Sequence, residues 1–445
     1  MLAYVCDLET NGLLHELDRV HSLVLRDAMT GEVISCTNET SRLNTYHSIA
    51  HGLDLLAKAD VVIGHNFINF DARAIAKVYP SFQAKPDSAI HDTLIISRVL
   101  SPEMEMVDDQ KYPHIPPKYR GKHSLAAWGE RLGVEKIKFT ENEKKSKGAD
   151  VNVWDKWSEE MQVYCEQDTL VTQVLYEYFQ TQELDSRCFE LEHEFAVIAT
   201  MIEQHGFHFN ERAAFGLVNV LKTKRAEIHD QLQEVFPPIV QERVSDKTGK
   251  RLKDKVILFN PGSRQQTARR LRERYPEISF STTEKGNEKV DDDVLEKLGE
   301  KYPEAKLLGE YQMLNKRLGQ IAEGKEAWLK HSQVFEDSRI HGTIITNACI
   351  SGRCSHRRPN TAQIPSVGHA YGAECRSLFV VPVGWVLCGC DASGLELRAL
   401  GAQLAHFDGG EYAGLVSTDG FDIHTYNAKL FGIYDGEGDI PKSTR

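Results

Sequence analysis

The chain has 445 residues, with 53 basic and 65 acidic side chains, a formal charge of −12, and 41% hydrophobic residues. This is globular composition with length for about three domains, and it excludes a disordered chain or a uniformly basic nucleic-acid binder. No run of 18 apolar residues exists, so no membrane span is expected, and nine cysteines without a C-x-x-C pair fit a reducing compartment. The opening, Met1 to Asp7, reaches a carboxylate without a basic leader and is not read as a signal peptide.

Charge is unevenly spread. Residues 1–204 carry 20 basic and 33 acidic side chains, residues 205–330 carry 24 and 20, and residues 331–445 carry 9 and 12. A basic middle between acidic flanks implies different partners for different regions.

In chain order, Leu2–Cys6 reads as a buried strand ending at Asp7. His21–Arg26 and Glu32–Cys36 read as a hairpin around Met29-Thr30-Gly31. Ala59–Gly64 is another apolar strand, Asp71–Tyr79 has helical spacing, and Met161–Phe179 is a helical run. Pro102–Gly121 and Glu141–Asp150 read as loops. Strands followed by strand and helix give a mixed α/β domain ending near residue 180. Glu190–Gln204, Ala213–Phe236, Ser263–Tyr275 and Asp292–Gly324 read as helices, with Pro237–Leu258 a polar excursion between two of them. From Ile340 onward short strands and turns return, among them an apolar run, Val386–Cys390, read as a buried strand.

Asp7 and Glu9 are two apart at a strand end, so both lie on one face. Alternating acids usually mark a solvated face. Asp71, after the turn His65–Phe70, and Asp168, one helical turn after Tyr164, change the weighting. Asp92 is a less certain member of the group. Two-metal phosphodiester hydrolysis uses such a set, because hard divalent cations take oxygen ligands from several elements.

These residues resemble the three motifs of a DEDD-type 3′–5′ exonuclease of the tyrosine subclass: Asp7-x-Glu9, Asn66-x-x-x-Phe70-Asp71 and Tyr164-x-x-x-Asp168. The resemblance implies an RNase H-like domain over 1–184. It implies that Asp7, Glu9, Asp71 and Asp168 hold two Mg²⁺ ions (Mn²⁺ being an alternative), and that Tyr164 positions the attacking water.

Further along, Ser263 is a candidate helix cap, followed by Arg264, Arg269, Arg270, Arg272 and Arg274 on one helix. Gly319–Lys325 lacks the Ser/Thr and the preceding strand of a phosphate loop and is rejected as one. The run Asp391-Ala392-Ser393-Gly394-Leu395-Glu396-Leu397-Arg398 resembles motif A of family A (DNA polymerase I-type) polymerases. With Asn315–Gln320, Tyr371–Arg376 and Asp422–Thr425, the resemblance covers nearly the whole chain and leans to the replicative polymerases of short-tailed bacteriophages. It implies a thumb over 185–339 and a partial palm over 340–445. Asp391 and the Ala392 carbonyl would hold catalytic metal, with Asp391 as the catalytic carboxylate. Glu396 would gate against a ribose 2′-OH, His424 and Arg445 would contact the incoming dNTP, and Arg353, Gln363 and Arg376 would contact the primer–template.

The resemblance stops at Arg445, before the rest of the fingers helix and the second palm carboxylate. The expectation is therefore the N-terminal portion of an interrupted polymerase, made by a split gene, an intron or intein, or truncation. It would be completed by a C-terminal polymerase fragment and work beside a helicase-primase in the cytoplasm of an infected bacterium. The stretch at the position of the family's thioredoxin-binding insertion, Pro237–Asn260, is short, so thioredoxin dependence is not expected. Two rival readings are a stand-alone Mg²⁺-dependent exonuclease and a non-catalytic DNA-binding subunit.

Overall fold

A computed structural model describes the chain except residues 42, 43, 135, 136, 138, 140–151, 245–248, 284, 285, 437 and 439–445. The expected loop Glu141–Asp150 and the expected ligand Arg445 lie outside the described residues. The chain divides into two compact units, Met1–Val380 and Val381–Arg445.

The first unit starts from period-two patterning. Strand β1 (Ala3–Thr10) runs three residues past Asp7, and β2 (Val20–Asp27) and β3 (Val33–Cys36) pair antiparallel beside it. The β2–β3 turn has Gly31 at φ +76°, and Asp27 Oδ1 accepts from the Met29 and Thr30 N–H groups at 2.8 Å each. Helix α1 (Ile49–Leu56) leads into β4 (Val61–Gly64), which lies parallel to β1. Helix α2 (Asp71–Val78) leads into β5 (Ala89–Asp92), parallel to β4. The mixed sheet has the order β3-β2-β1-β4-β5. Tyr4, Cys6 and Leu8 of β1 join Leu23, Leu25, Ile49, Leu56 and Ile75 in one core.

Helix α3 (Thr93–Leu100) follows, then α4 (Met104–Lys111) and α5 (Leu125–Leu132). The Pro102–Gly121 stretch is thus partly helical. Its composition hides the reason: Asp108 is fully buried and takes Arg131 of α5 through two bonds, at 2.7 and 3.0 Å. Helix α6 (Glu159–Gln180) is capped by Ser158, whose Oγ accepts from Met161 N–H. Met161, Cys165, Asp168, Thr172, Leu175 and Phe179 recur every three or four residues and are all buried, with Leu175 and Phe179 packed on Ile96 of α3 and Trp128 of α5.

Helix α7 (Ser186–His205) ends at Gly206 (φ +61°), where an added Cβ would meet the His341 ring at 2.9 Å. Strand β6 (Phe207–Phe209) then pairs with the later short strands β9 (Arg339–Ile340) and β12 (Phe379–Val380). Long helices α8 (Glu211–Val235) and α11 (Pro303–Leu318) pack together around Leu221, Leu232, Leu308, Leu314 and Leu318. Between them, Ile239–Val244 (β7) and Arg251–Ile257 (β8) form a hairpin, followed by α9 (Arg264–Arg274) and α10 (Asp292–Gly299). The expected single helix over 292–324 is therefore divided: Pro303 starts a new helix as its first residue, and the 319–323 turn is wider than an α-helix. After α12 (Trp328–His331), strands β10 (Thr343–Ile345) and β11 (Ser355–Arg357) pair antiparallel, and α13 (Gly372–Ser377) precedes β12.

In the second unit, helices α14 (Leu395–Asp408) and α15 (Glu411–Ser417) approach closely where Gly401 meets Ala413, and α16 (Ile423–Leu430) follows. The expected buried strand Val386–Cys390 is absent. Val386 is 87% exposed, and Leu387, Cys388 and Cys390 are exposed as well. A strand needs a pairing neighbour, and none of the described residues of this unit forms one. None of the described helices is long and apolar enough to cross a membrane.

Candidate active site: a carboxylate centre

Alternation along β1 sends Cys6 and Leu8 into the core on one face and Asp7 and Glu9 to the other, half-exposed. The register with β2 shifts immediately after Glu9, so the strand is bulged at the edge of the centre. Helix α6 lies against β1 and β2 and carries Tyr164, Cys165 and Asp168 on successive parts of one turn. Cys165 Sγ donates to the Asp7 carbonyl and to Asp7 Oδ2, each at 3.4 Å. Ligand atoms of Asp7, Glu9 and Cys165 all lie within 4.8 Å of one another.

Burial pushes the Cys165 thiol well above its usual pKa, and the charges of Asp7, Glu9 and Asp168 push it further. Two carboxylates, Asp7 and Glu9, thus lie at one thiol, with the Asp168 charge also acting on it. Asp71, the first residue of α2, is 5% exposed. Burial raises its pKa well above the carboxylate range, and the neighbouring Asp7 charge adds to this; its own backbone N–H and, to a lesser degree, that of Leu8 oppose both. Asp7 is therefore the hub, linked to Asp71 on one side and to the α6 turn on the other.

The fit to divalent cations follows from the donors. Asp71 is buried among negative charges, Asp7 and Asp92, which a cation would offset. Carboxylate oxygens are hard donors suited to Mg²⁺ or Mn²⁺, whereas the protonated thiol is a soft one. Among the described residues, the atoms that gather closely enough to share one ion are those of Asp7, Glu9 and Cys165; the buried Asp71 and Asp168 stand outside that group.

Tyr164 is half-exposed, and its ring packs on Phe139 and Trp154 at centroid distances of 5.5 and 6.3 Å. Asp92 stands apart from the centre in kind: it is fully buried, and its oxygens accept from the Asn66, Ile68 and Leu94 N–H groups. Sequence reasoning missed Cys165, although its place three residues before Asp168 puts it on the same helical face.

The polymerase-type residues are placed differently. Arg353 is exposed beyond β10. Gln363 is exposed, and its carbonyl accepts from Gln320 Nε2 at 3.2 Å. Arg376, on α13, donates from Nε to the Pro365 carbonyl at 3.0 Å. Buried Arg317 ties this region together, donating to the Ala370 carbonyl at 3.1 Å and to Gln320 Oε1 at 3.0 Å. Gln363 and Arg376 therefore border one framework. In the second unit Asp391, Ala392 and Glu396 are exposed around the start of α14, and His424 is exposed on α16.

The family described as DNA polymerase family A matches residues 227–438. The chain is 30% identical to the DNA-directed DNA polymerase of Escherichia phage T7, over 95% of this chain and 72% of that protein. It is also 30% identical, with the same coverages, to the DNA-directed DNA polymerase of Enterobacteria phage T3. The POL domain of Pol1 from M. smegmatis, solved in complex with DNA primer-template and dNTP, is similar in fold at a TM-score of 0.62 and 16% identity. That likeness covers 97% of this chain and 63% of the solved one.

Proposed function

Because this chain belongs to the family A DNA polymerases, we propose that it is a DNA-directed DNA polymerase chain whose residues 1–184 form an RNase H-like 3′–5′ proofreading exonuclease. Residues 185–339 would be its thumb and 340–445 its palm. The observation that carries the exonuclease reading is the cluster of Asp7, Glu9 and Cys165, whose ligand atoms lie within 4.8 Å of one another, together with the buried carboxylates Asp71 and Asp168.

In this reading the four carboxylates bind two divalent cations, Mg²⁺ by preference. Such ions, when bound, lower the pKa of a water and stabilise the leaving 3′ oxygen. The chain's own residues set the geometry. β1, α2 and α6 fix the carboxylates from three elements, Cys165 holds the Asp7 carboxylate through its S–H, and the Phe139–Trp154 packing holds the Tyr164 ring beside the turn that carries Asp168. Tyr164 orients the water that attacks the terminal phosphodiester, and the products are a deoxynucleoside monophosphate and a new 3′-hydroxyl.

For synthesis, Asp391 and the Ala392 carbonyl would hold metal, Glu396 would exclude a 2′-OH, and His424 and Arg445 would meet the dNTP. Arg353, Gln363 and Arg376 would track the primer–template. The exposed, strandless Val386–Cys390 run favours a polymerase half that needs a companion segment pairing with that run. A second reading is an exonuclease whose palm only grips DNA.

The test is the 445-residue chain on a labelled, mismatched primer–template with Mg²⁺, with and without dNTPs. Shortening from the 3′ end that disappears in Asp7→Ala/Glu9→Ala is the expected result. Degradation unchanged in that variant overturns the exonuclease reading. Extension by the isolated chain overturns the need for a companion segment and the grip-only reading together.

A further inference from the structure

The turn from β4 to α2 is irregular, with Asn66 in the left-handed region at φ +69°. It hands the chain to α2 through two bonds: Phe70 N–H to the Asn66 carbonyl at 3.0 Å, and Ala72 N–H to the Phe67 carbonyl at 2.9 Å. Where Asn66–Ile68 sits therefore decides where α2 begins, and α2 begins at Asp71.

The neighbouring strand holds that turn. Asp92, paired with Gly64 in the parallel register, accepts from Asn66 N–H on Oδ1 at 2.8 Å and from Ile68 N–H on Oδ2 at 3.1 Å. Its Oδ1 also caps α3 by accepting from Leu94 N–H at 3.0 Å. The Asp92 N–H in turn donates to His193 Nε2 at 2.9 Å, and the other ring nitrogen, Nδ1, donates to the Phe189 carbonyl at 2.8 Å. This fixes the tautomer and anchors the strand end to α7. Thr93 adds a bond from its hydroxyl to the Gly64 carbonyl at 3.0 Å.

We infer that Asp92 is a positioning residue for Asp71: it locks the Asn66–Ile68 turn so that α2 delivers Asp71 beside Asp7. Both Asp92 oxygens are engaged by backbone N–H groups, so it acts on the centre through the turn and not as a ligand. The inference rests on the exonuclease reading.

The test measures Mn²⁺ affinity of the full chain by titration, together with kcat and KM for excision of a single-stranded 3′ end. Asp92→Asn keeps the acceptor on the Oδ1 side, and with it the α3 cap, but turns an NH₂ group toward Ile68 N–H. Expected is a loss of about 10-fold in both Mn²⁺ affinity and kcat, the usual scale for a group that orients metal ligands, with KM for DNA unchanged. Asp92→Ala should lose more. Asp108→Asn, at an equally buried carboxylate paired elsewhere, should melt earlier yet bind Mn²⁺ as the parent does. A folded Asp92→Asn chain with parental Mn²⁺ affinity and kcat overturns the inference, even if it melts earlier. A parent chain whose Mn²⁺ binding is untouched by Asp7→Ala/Glu9→Ala removes the exonuclease reading, and the inference with it.

Discussion

Asp71→Asn keeps the shape of the side chain and removes its charge. Without metal, burial and the Asp7 charge both oppose ionisation of Asp71, while the Leu8 N–H still has an acceptor in Asn. The variant should therefore be more stable than the parent in EDTA, by about 0.5–2 kcal/mol, the scale on which functional residues depress stability. With metal the order reverses. A cation at 100 times its Kd stabilises the native state by about 2.7 kcal/mol, roughly 5–10 °C for a domain of about 200 residues. The parent should show that gain and the variant little of it. The sign with pH follows from the raised folded-state value. As pH rises from about 4, the unfolded chain releases the Asp71 proton before the native one does, so metal-free stability falls with rising pH. Asp71→Asn should flatten that slope. Thermal melts in EDTA and in Mg²⁺ across pH 4–8 measure all three effects. A variant less stable than the parent in EDTA, with an undiminished Mg²⁺ gain, would refute the reasoning.

Two other substitutions probe the first unit, and a third the second unit. Gly64→Ala would set a Cβ at 2.7 Å from Phe67 Cβ, and should cost about 1–3 kcal/mol in urea melts while slowing excision. Arg131→Met strands the buried Asp108 carboxylate and should cost about 3–5 kcal/mol by chemical denaturation. Burial pushes Asp108 up, but Arg131 and the Gly121 N–H outweigh it and hold its pKa below the usual range. The parent should thus lose this stability as pH falls below about 4, a loss the variant lacks. Trp385→Ser, at an exposed position, should leave the melting of the isolated chain within about 0.5 kcal/mol of the parent.

Periodicity made much of the first sheet legible. Val20–Asp27, Val33–Cys36 and Val61–Gly64 stand where alternating or apolar runs predicted them, and the helical run expected over Met161–Phe179 lies within α6. Asp7 and Glu9 could be paired from the period of a strand, and they do lie together with Cys165; Asp71 and Asp168 joined them through the resemblance to the exonuclease motifs. Asp92 could not be sorted by spacing, since a ligand and a turn-holding acceptor look alike until the N–H groups around them are known. The α4 helix was hidden because its support is the distant Arg131. The Val386–Cys390 run misled for the converse reason: hydrophobicity says that a segment would bury itself against a partner, not that a partner is at hand.

That run has a practical side as well. Cys6, Cys36, Cys165 and Cys375 are buried, whereas Cys188, Cys349, Cys388 and Cys390 are exposed, the last two on either side of Gly389. Thiolate formation and access together govern alkylation, so a maleimide dye sorts the molecule by position. With the exposed Cys188 and Cys349 replaced by serine, it reaches the two thiols next to Asp391 and spares the one that holds Asp7. The polymerase-type carboxylate thus comes with a fluorescent handle that leaves the carboxylate centre of the first unit chemically untouched.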